Sequence, residues 1–240
     1  MSSRLHLEIL SQPDDTTCGP TCLHAIYQYY GDDISLPQVI REVRKLRNGG
    51  TLAVYLACHA LRRGYQATIF TYNLHMFDPT WFAAEQKIDL AEKLRAQAAV
   101  KTQHRLQVAT AGYLEFLELG GRLRYADLTT SLIRKYLKRS IPILTGLSST
   151  YLYRMVREYG ELGVDDDVRG FPAGHFVVLC GYDSTSRNVL VADPYHLNPV
   201  GEGQYYEIDI GRALGAILLG VLTHDANFLL IEPMKNRGKP

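Results

Sequence analysis

Four residues of this chain have types and spacings suited to nucleophilic acyl chemistry: Gln12, Cys18, His175 and Asp193. Cys18 lies in the stretch QPDDTTCGPTCLHAIYQYYG, residues 12–31. Thr16, Thr17, Gly19 and Pro20 around it read as a helix start, because a hydroxyl before the first turn caps free N–H groups and proline is tolerated there. A cysteine on a first helical turn meets unpaired N–H groups and the positive end of the dipole, both of which favour the thiolate. Gln12, six residues upstream, reaches back over that helix start, and its amide with the Cys18 backbone N–H would form an oxyanion hole.

His175 opens the apolar run HFVVLCGYD and Asp193 closes VLVADP. The Ser/Thr-rich turn DSTSRN between them predicts a hairpin, which returns the two outer ends to one edge of a sheet. There the carboxylate would fix the histidine tautomer and support an imidazolium that keeps Cys18 ionised. Asp183 competes for this role, but it ends the strand that His175 begins, and eight residues of strand separate the two by roughly 25 Å. It is assigned to the turn. Cys18, Cys22, Cys58 and His59 are the candidate metal ligands, yet they lack a C-x-x-C pair, so neither a metal nor another cofactor is expected. Cys58 and Cys180 sit in apolar runs and read as core. His24, His59, His75 and His196 lack a matched acid. Only His196, three residues after Asp193, is kept as a substrate-subsite residue.

The elements that must hold these groups are legible as patterns. Cys22, Ile26 and Tyr29 recur at helical spacing, so one face of the Cys18 helix should pack inward, with Gly31 as a left-handed C-terminal cap. Leu5 to Leu10 alternates and reads as a strand leading into the Gln12 loop. Ser35 and Pro37 start a helix expected to run through VIREVRKLR to a stop at residues 48–50, and Thr51 starts LAVYLACHALRR, ended by Gly64. YQATIFTY, IPILTGL, QYYEIDI and NFLLIEP read as strands. Thr129 or Thr130 begins the helix SLIRKYLKR, and residues 210–222 form another. Helices first and a mostly antiparallel sheet afterwards make an α+β arrangement. Two stretches read as insertions: residues 73–121, helical and expected on the side of the domain, and residues 148–173, a loop or lid.

With 240 residues, 46% of them hydrophobic, a single domain is expected. The formal net charge is +1 with charges spread along the chain, which argues against nucleic acid or an anionic membrane as the main partner. No apolar run reaches bilayer-spanning length, the longest being AILLGVL, and the first residues lack a signal-peptide pattern. Four cysteines in a chain of this length do not read as a disulfide framework, so a cytoplasmic location is expected.

On these motifs the chain resembles the papain-like cysteine peptidases, and most closely their C39 and C39-like group. QPDDTTCGPTCL around Gln12 and Cys18, GHFVVLCGYD around His175 and VADP around Asp193 carry the resemblance, in that group's order. It covers roughly two thirds of the chain. It implies a single papain-like domain over residues 1–240, with the cysteine on an N-terminal helical part and the histidine and aspartate on a C-terminal sheet. It further implies a cysteine peptidase or amidase in which Gln12 holds the oxyanion, Cys18 attacks, His175 moves the proton and Asp193 orients it. The expected substrate is a peptide or protein, and the helical insertion offers a surface to a protein partner. An acyltransferase or transpeptidase would use the same groups with an amine or thiol in place of water. A catalytically silent peptide-binding module is the third alternative, disfavoured because Cys18 and His175 are both present.

Overall fold

The computed structural model describes residues 2–47, 49–83, 88–160, 162–223 and 226–234. A short strand, β1 (Ser2–Arg4), precedes three helices, α1 (Cys18–Tyr29), α2 (Leu36–Glu42) and α3 (Ala53–Arg62). Strand β2 (Tyr65–Thr71) leads to α4 (Leu90–Val100), α5 (His104–Glu118), β3 (Arg122–Arg124), α6 (Thr130–Leu137), β4 (Ile143–Ser148) and α7 (Ser149–Tyr153). A small hairpin of β5 (Glu158–Tyr159) and β6 (Val164–Asp165) then comes before β7 (Gly174–Asp183), β8 (Asn188–Ala192), β9 (Tyr205–Asp209), α8 (Ile210–Leu219) and β10 (Asn227–Pro233).

Seven strands lie in the order β3, β2, β10, β4, β7, β8, β9, and β1 adds alongside β7 to complete an eight-stranded sheet. Pairing is antiparallel apart from β2 with β3. The mixed α+β class is as expected, but the order of parts differs: among the described residues β2 comes ahead of five of the eight α-helices and pairs with the last strand. β10 fits between β2 and β4, with Phe228 opposite both Phe70 and Thr145, so the two halves of the chain share one sheet. These central strands are buried along almost their whole length, which is why they read as continuous apolar runs rather than alternating ones.

Helix α1 packs on β7 and against α2 and α3. It is buried from Cys18 to Tyr27 on every side, where the spacing had suggested a single inward face. A helix enclosed by a sheet and two other helices has no solvent side to keep polar. Tyr29 is half-buried, and its hydroxyl donates to the Ser140 carbonyl at 2.9 Å. Gly31 has φ of 77°, the left-handed conformation its cap position requires. The site helix fits its neighbours closely at Gly19, where an added Cβ would stand 2.7 Å from Thr51 and 3.1 Å from Phe176.

Other boundaries shift. Helix α2 ends at Glu42, short of the glycines, and the segment after it joins the rim of a cleft described below. The alternation in Leu5–Leu10 is real, with Leu5, Leu7 and Ile9 buried, but strand pairing stops at Arg4. From there single bonds replace a ladder: Leu5 N–H donates to Cys180 O, and the Tyr205 hydroxyl bridges Ile9 N–H and Leu7 O. Within residues 73–121, α5 lies on α3 and sends Tyr113 and Phe116 into the core. Residues 84–87 of the helix expected there lie outside the described residues; α4 starts at Leu90, where Asp89 Oδ1 accepts from Ala91 and Glu92 N–H groups. Among the described residues, no helix is long and apolar enough to cross a membrane.

Candidate active site

Cys18 is the first residue of α1, His175 the second of β7, and Asp193 follows the last of β8. The β7–β8 hairpin pairs Val178 with Ala192, so its open end brings His175 and Asp193 to one side. His175 Nε2 donates to Asp193 Oδ1 at 2.8 Å. The Cys18 side chain acts on the imidazole as well, favouring its charged form, and Cys18 and His175 line one cleft. Cys18, His175 and Asp193 are therefore gathered in one line, assembled from the start of a helix and the open end of a hairpin.

Two tyrosines that the sequence did not single out complete it. The Asp193 side chain is fully buried, yet every side of its carboxylate is answered. Oδ1 also accepts from the Tyr195 N–H at 2.9 Å, and Oδ2 accepts from the Tyr153 and Tyr206 hydroxyls, each at 2.6 Å. Tyr153 ends α7, where Ser148 caps the helix and Arg154, at φ of 57°, turns the chain away. Tyr206 comes from β9, next to β8 in the sheet. No motif flagged either, because a tyrosine in a strand or a short helix is ordinarily core.

These contacts set the charges. Burial works against both ions, but the His175 hydrogen bond and charge, helped by the two phenols, hold the Asp193 carboxyl below the ordinary carboxylate range. For His175 burial is again the largest influence and lowers its pKa; the bond to Asp193 and the charge of Asp193, with the Cys18 side chain, outweigh it and raise it to about 10. Burial beside the Asp193 charge pushes Tyr153 and Tyr206 far above the usual phenol value, so both stay donors. Cys22, one turn along α1, donates its S–H to Phe176 O at 3.3 Å, and burial drives its thiol well up. Burial likewise pushes Cys58 and Cys180 to about 12.

Gln12 is tied beside this group, its backbone N–H donating to Pro194 O at 2.9 Å. Its side-chain nitrogen donates to Asp14 O at 3.0 Å, while Oε1 is buried without a hydrogen-bond partner. The threonine caps expected at the α1 start are absent: the Thr17 hydroxyl bonds Asp14 instead, accepting from its N–H and donating to its carbonyl. Those bonds fold the loop onto the helix and leave the first-turn N–H groups without a side-chain cap. Asp183 accepts from Thr185 N–H and the Ser186 hydroxyl, as a turn residue. His196 is exposed and lies outside the cleft lining, against its expected subsite role, while His75 is in that lining. His59 is held between the Tyr27 hydroxyl and Glu42. Among the described residues, no cluster of His, Cys, Asp and Glu could hold a metal ion.

The line opens at its cysteine end onto a cleft of about 1350 Å³. Cys18 and His175 belong to its lining, together with the segment between α2 and α3, the start of α5, and Phe171 and Pro172 from the stretch before β7. The base of that stretch is pinned, with Ser149 N–H and hydroxyl donating to Ala173 O and Ala173 N–H to the Thr150 hydroxyl.

A solved structure described as that of a C39-like peptidase from Bacillus anthracis matches with a TM-score of 0.54, 13% identity, and coverage of 98% of this chain and 100% of that one. Xylellain, a cysteine protease from Xylella fastidiosa, matches with a TM-score of 0.48 and 12% identity over 98% of this chain and 86% of its own. No curated protein matches the sequence. The Peptidase_C39 like family model matches residues 4–212, and the chain belongs to that family.

Proposed function

We propose that the protein cleaves a peptide or amide bond through a thioacyl intermediate on Cys18. The observation that supports this most directly is the line from Cys18 through His175 to Asp193, open to a cleft at the sulfur and sealed at the carboxylate. The Cys18 thiolate attacks the carbonyl carbon, and the oxyanion accepts from the Cys18 backbone N–H and from the second N–H of the Gln12 amide. As the C–N bond breaks, the His175 imidazolium gives its Nδ1 proton to the leaving amine. Neutral His175 then takes a proton from water, which attacks the thioacyl carbon, releases the acid and restores the ion pair. Asp193 holds the ring throughout.

Mass-spectrometric mapping of an electrophilic peptide-amide probe, with cell extract as competitor, tests this reading. The expected adduct is on Cys18, suppressed by competing substrate and strongly reduced in His175→Ala. Equal labelling of all four cysteines would leave a peptide-binding module as the better account.

A further inference from the structure

Resting on the reading of Cys18 as nucleophile, we infer that the cleft beside it takes a peptide segment combining acidic with apolar side chains. Two stretches distant in sequence supply cations to its lining. The segment between α2 and α3 brings Lys45 and Arg47, and the α4–α5 junction brings Lys101 and Arg105. Against these four stands one carboxylate of the lining, Asp15. The whole chain has 26 basic and 25 acidic side chains, so the imbalance belongs to the cleft and not to the composition.

Nor are these cations engaged elsewhere. Among the described residues, none of the four forms an ion pair, whereas neighbouring Arg44 and Arg62 are both paired with Glu115. Lys45 acts on the Asp14 carboxyl only as a distant charge, the weakest influence there. Lys101 Nζ donates to Gln97 Oε1 at 2.8 Å and His75 O at 3.4 Å, neutral acceptors that aim the ammonium without cancelling it. Between the cations the lining is apolar, with Leu46, Leu52, Val54, Met76, Leu106 and Phe176. Unpaired cations over apolar ground suit Asp or Glu interspersed with large aliphatic side chains. A nucleic acid would satisfy the charges but leave the apolar ground uncovered. The volume exceeds the roughly 300–1000 Å³ of small-molecule pockets and leaves room for several residues.

The test uses two leucine-containing peptidyl chloromethyl ketones of one length, with glutamate in one and glutamine at the same positions in the other. Labelling of Cys18 is followed by peptide mapping. The glutamate probe should label at least about 10-fold faster at ~20 mM salt, the advantage shrinking below about 3-fold at ~500 mM as the charges are screened. K101E/R105E, and separately K45E/R47E, should each remove most of the preference, with melting temperatures confirming that both variants fold. Equal rates at low salt, or a faster glutamine probe, overturn the inference and leave the nucleophile standing. Failure of both probes to label Cys18 overturns the nucleophile reading, and the inference with it.

Discussion

Replacing Tyr153 by Phe removes one oxygen and leaves the ring, so it isolates a single hydrogen bond to the buried carboxylate. Tyr153 donates at 2.6 Å to Oδ2 of an Asp193 with no exposed surface; water cannot take the place of the lost donor. A hydrogen bond to a charged group is worth about 1.5–3 kcal/mol. For a chain of this size each kcal/mol lowers the melting temperature by about 2–4 °C, which gives a fall of about 3–12 °C at pH 7. The pH dependence has a definite sign. The Asp193 pKa is lowered on folding, so its contribution is present above the unfolded value, about 3.9, and is lost as pH falls through the lowered folded value. Tyr153→Phe raises that folded value, so the gap from wild type should be full at pH 7 and narrow in acid. Tyr206→Phe should behave alike, and because both hydroxyls serve Oδ2, the double variant should lose more than the sum of the two. Calorimetry between about pH 2 and pH 7, which spans the unfolded carboxylate value, measures all of this. A melting temperature within about 1 °C of wild type at pH 7, or a gap indifferent to pH, would refute the clamp as the source of the Asp193 charge.

Gln12→Ala should lower kcat by about 10²-fold to 10³-fold, with little change in melting, since the amide oxygen has no partner and the one bond lost, Nε2 to Asp14 O, is exposed to solvent; wild-type turnover would remove Gln12 from the site. His175, its pKa raised to about 10, should remain a cation through neutral pH. Brief iodoacetamide treatment at about pH 6 should therefore label Cys18 well ahead of Cys22, Cys58 and Cys180, and His175→Ala should slow it strongly while the helix terminus keeps some reactivity. The same pairing should lend stability that is complete below about pH 6.5 and is lost as pH rises through 10. A Cys18 labelling rate at pH 6 that is insensitive to His175→Ala would count against the pair.

What the sequence made legible was the part written in local signals. The helix start at Thr17 and Pro20 and the hairpin around DSTSRN each lie within a few residues, and together they brought Cys18, His175 and Asp193 into one line. What escaped it depends on distant packing. Burial of α1 on all sides needs β7, α2 and α3 in place, and the termination of α2 at Glu42, against the helical pattern of VIREVRKLR, hands Lys45 and Arg47 to the cleft. Thr16 and Thr17 looked like caps by residue type, but whether a hydroxyl turns toward the helix or the loop rests on the loop path, here set by the backbone of Asp14. Tyr153 lay inside a stretch read as a loop or lid, where alternation and helical spacing give no signal.

That placement of Tyr153 has a physical logic. An imidazolium paired with a carboxylate survives burial only if the carboxylate is fully satisfied, because each lone pair left without a donor favours protonation of the acid. Asp193 closes the hairpin at a sheet end, where the ladder supplies no further N–H to its side chain, so donors must come from other elements. β9 can offer Tyr206 from beside β8, and the Tyr195 N–H follows directly along the chain. The remaining donor has to come from across β4 and β7, and α7, fixed between Ser148 and the pinned Ala173, is the element that brings it there. The same pinned base carries Phe171 and Pro172 to the cleft on the sulfur side. One segment thus seals the acid end of the line and helps line the cleft at its other end, and His175, bonded to Asp193 and itself in the cleft lining, is where the two environments meet.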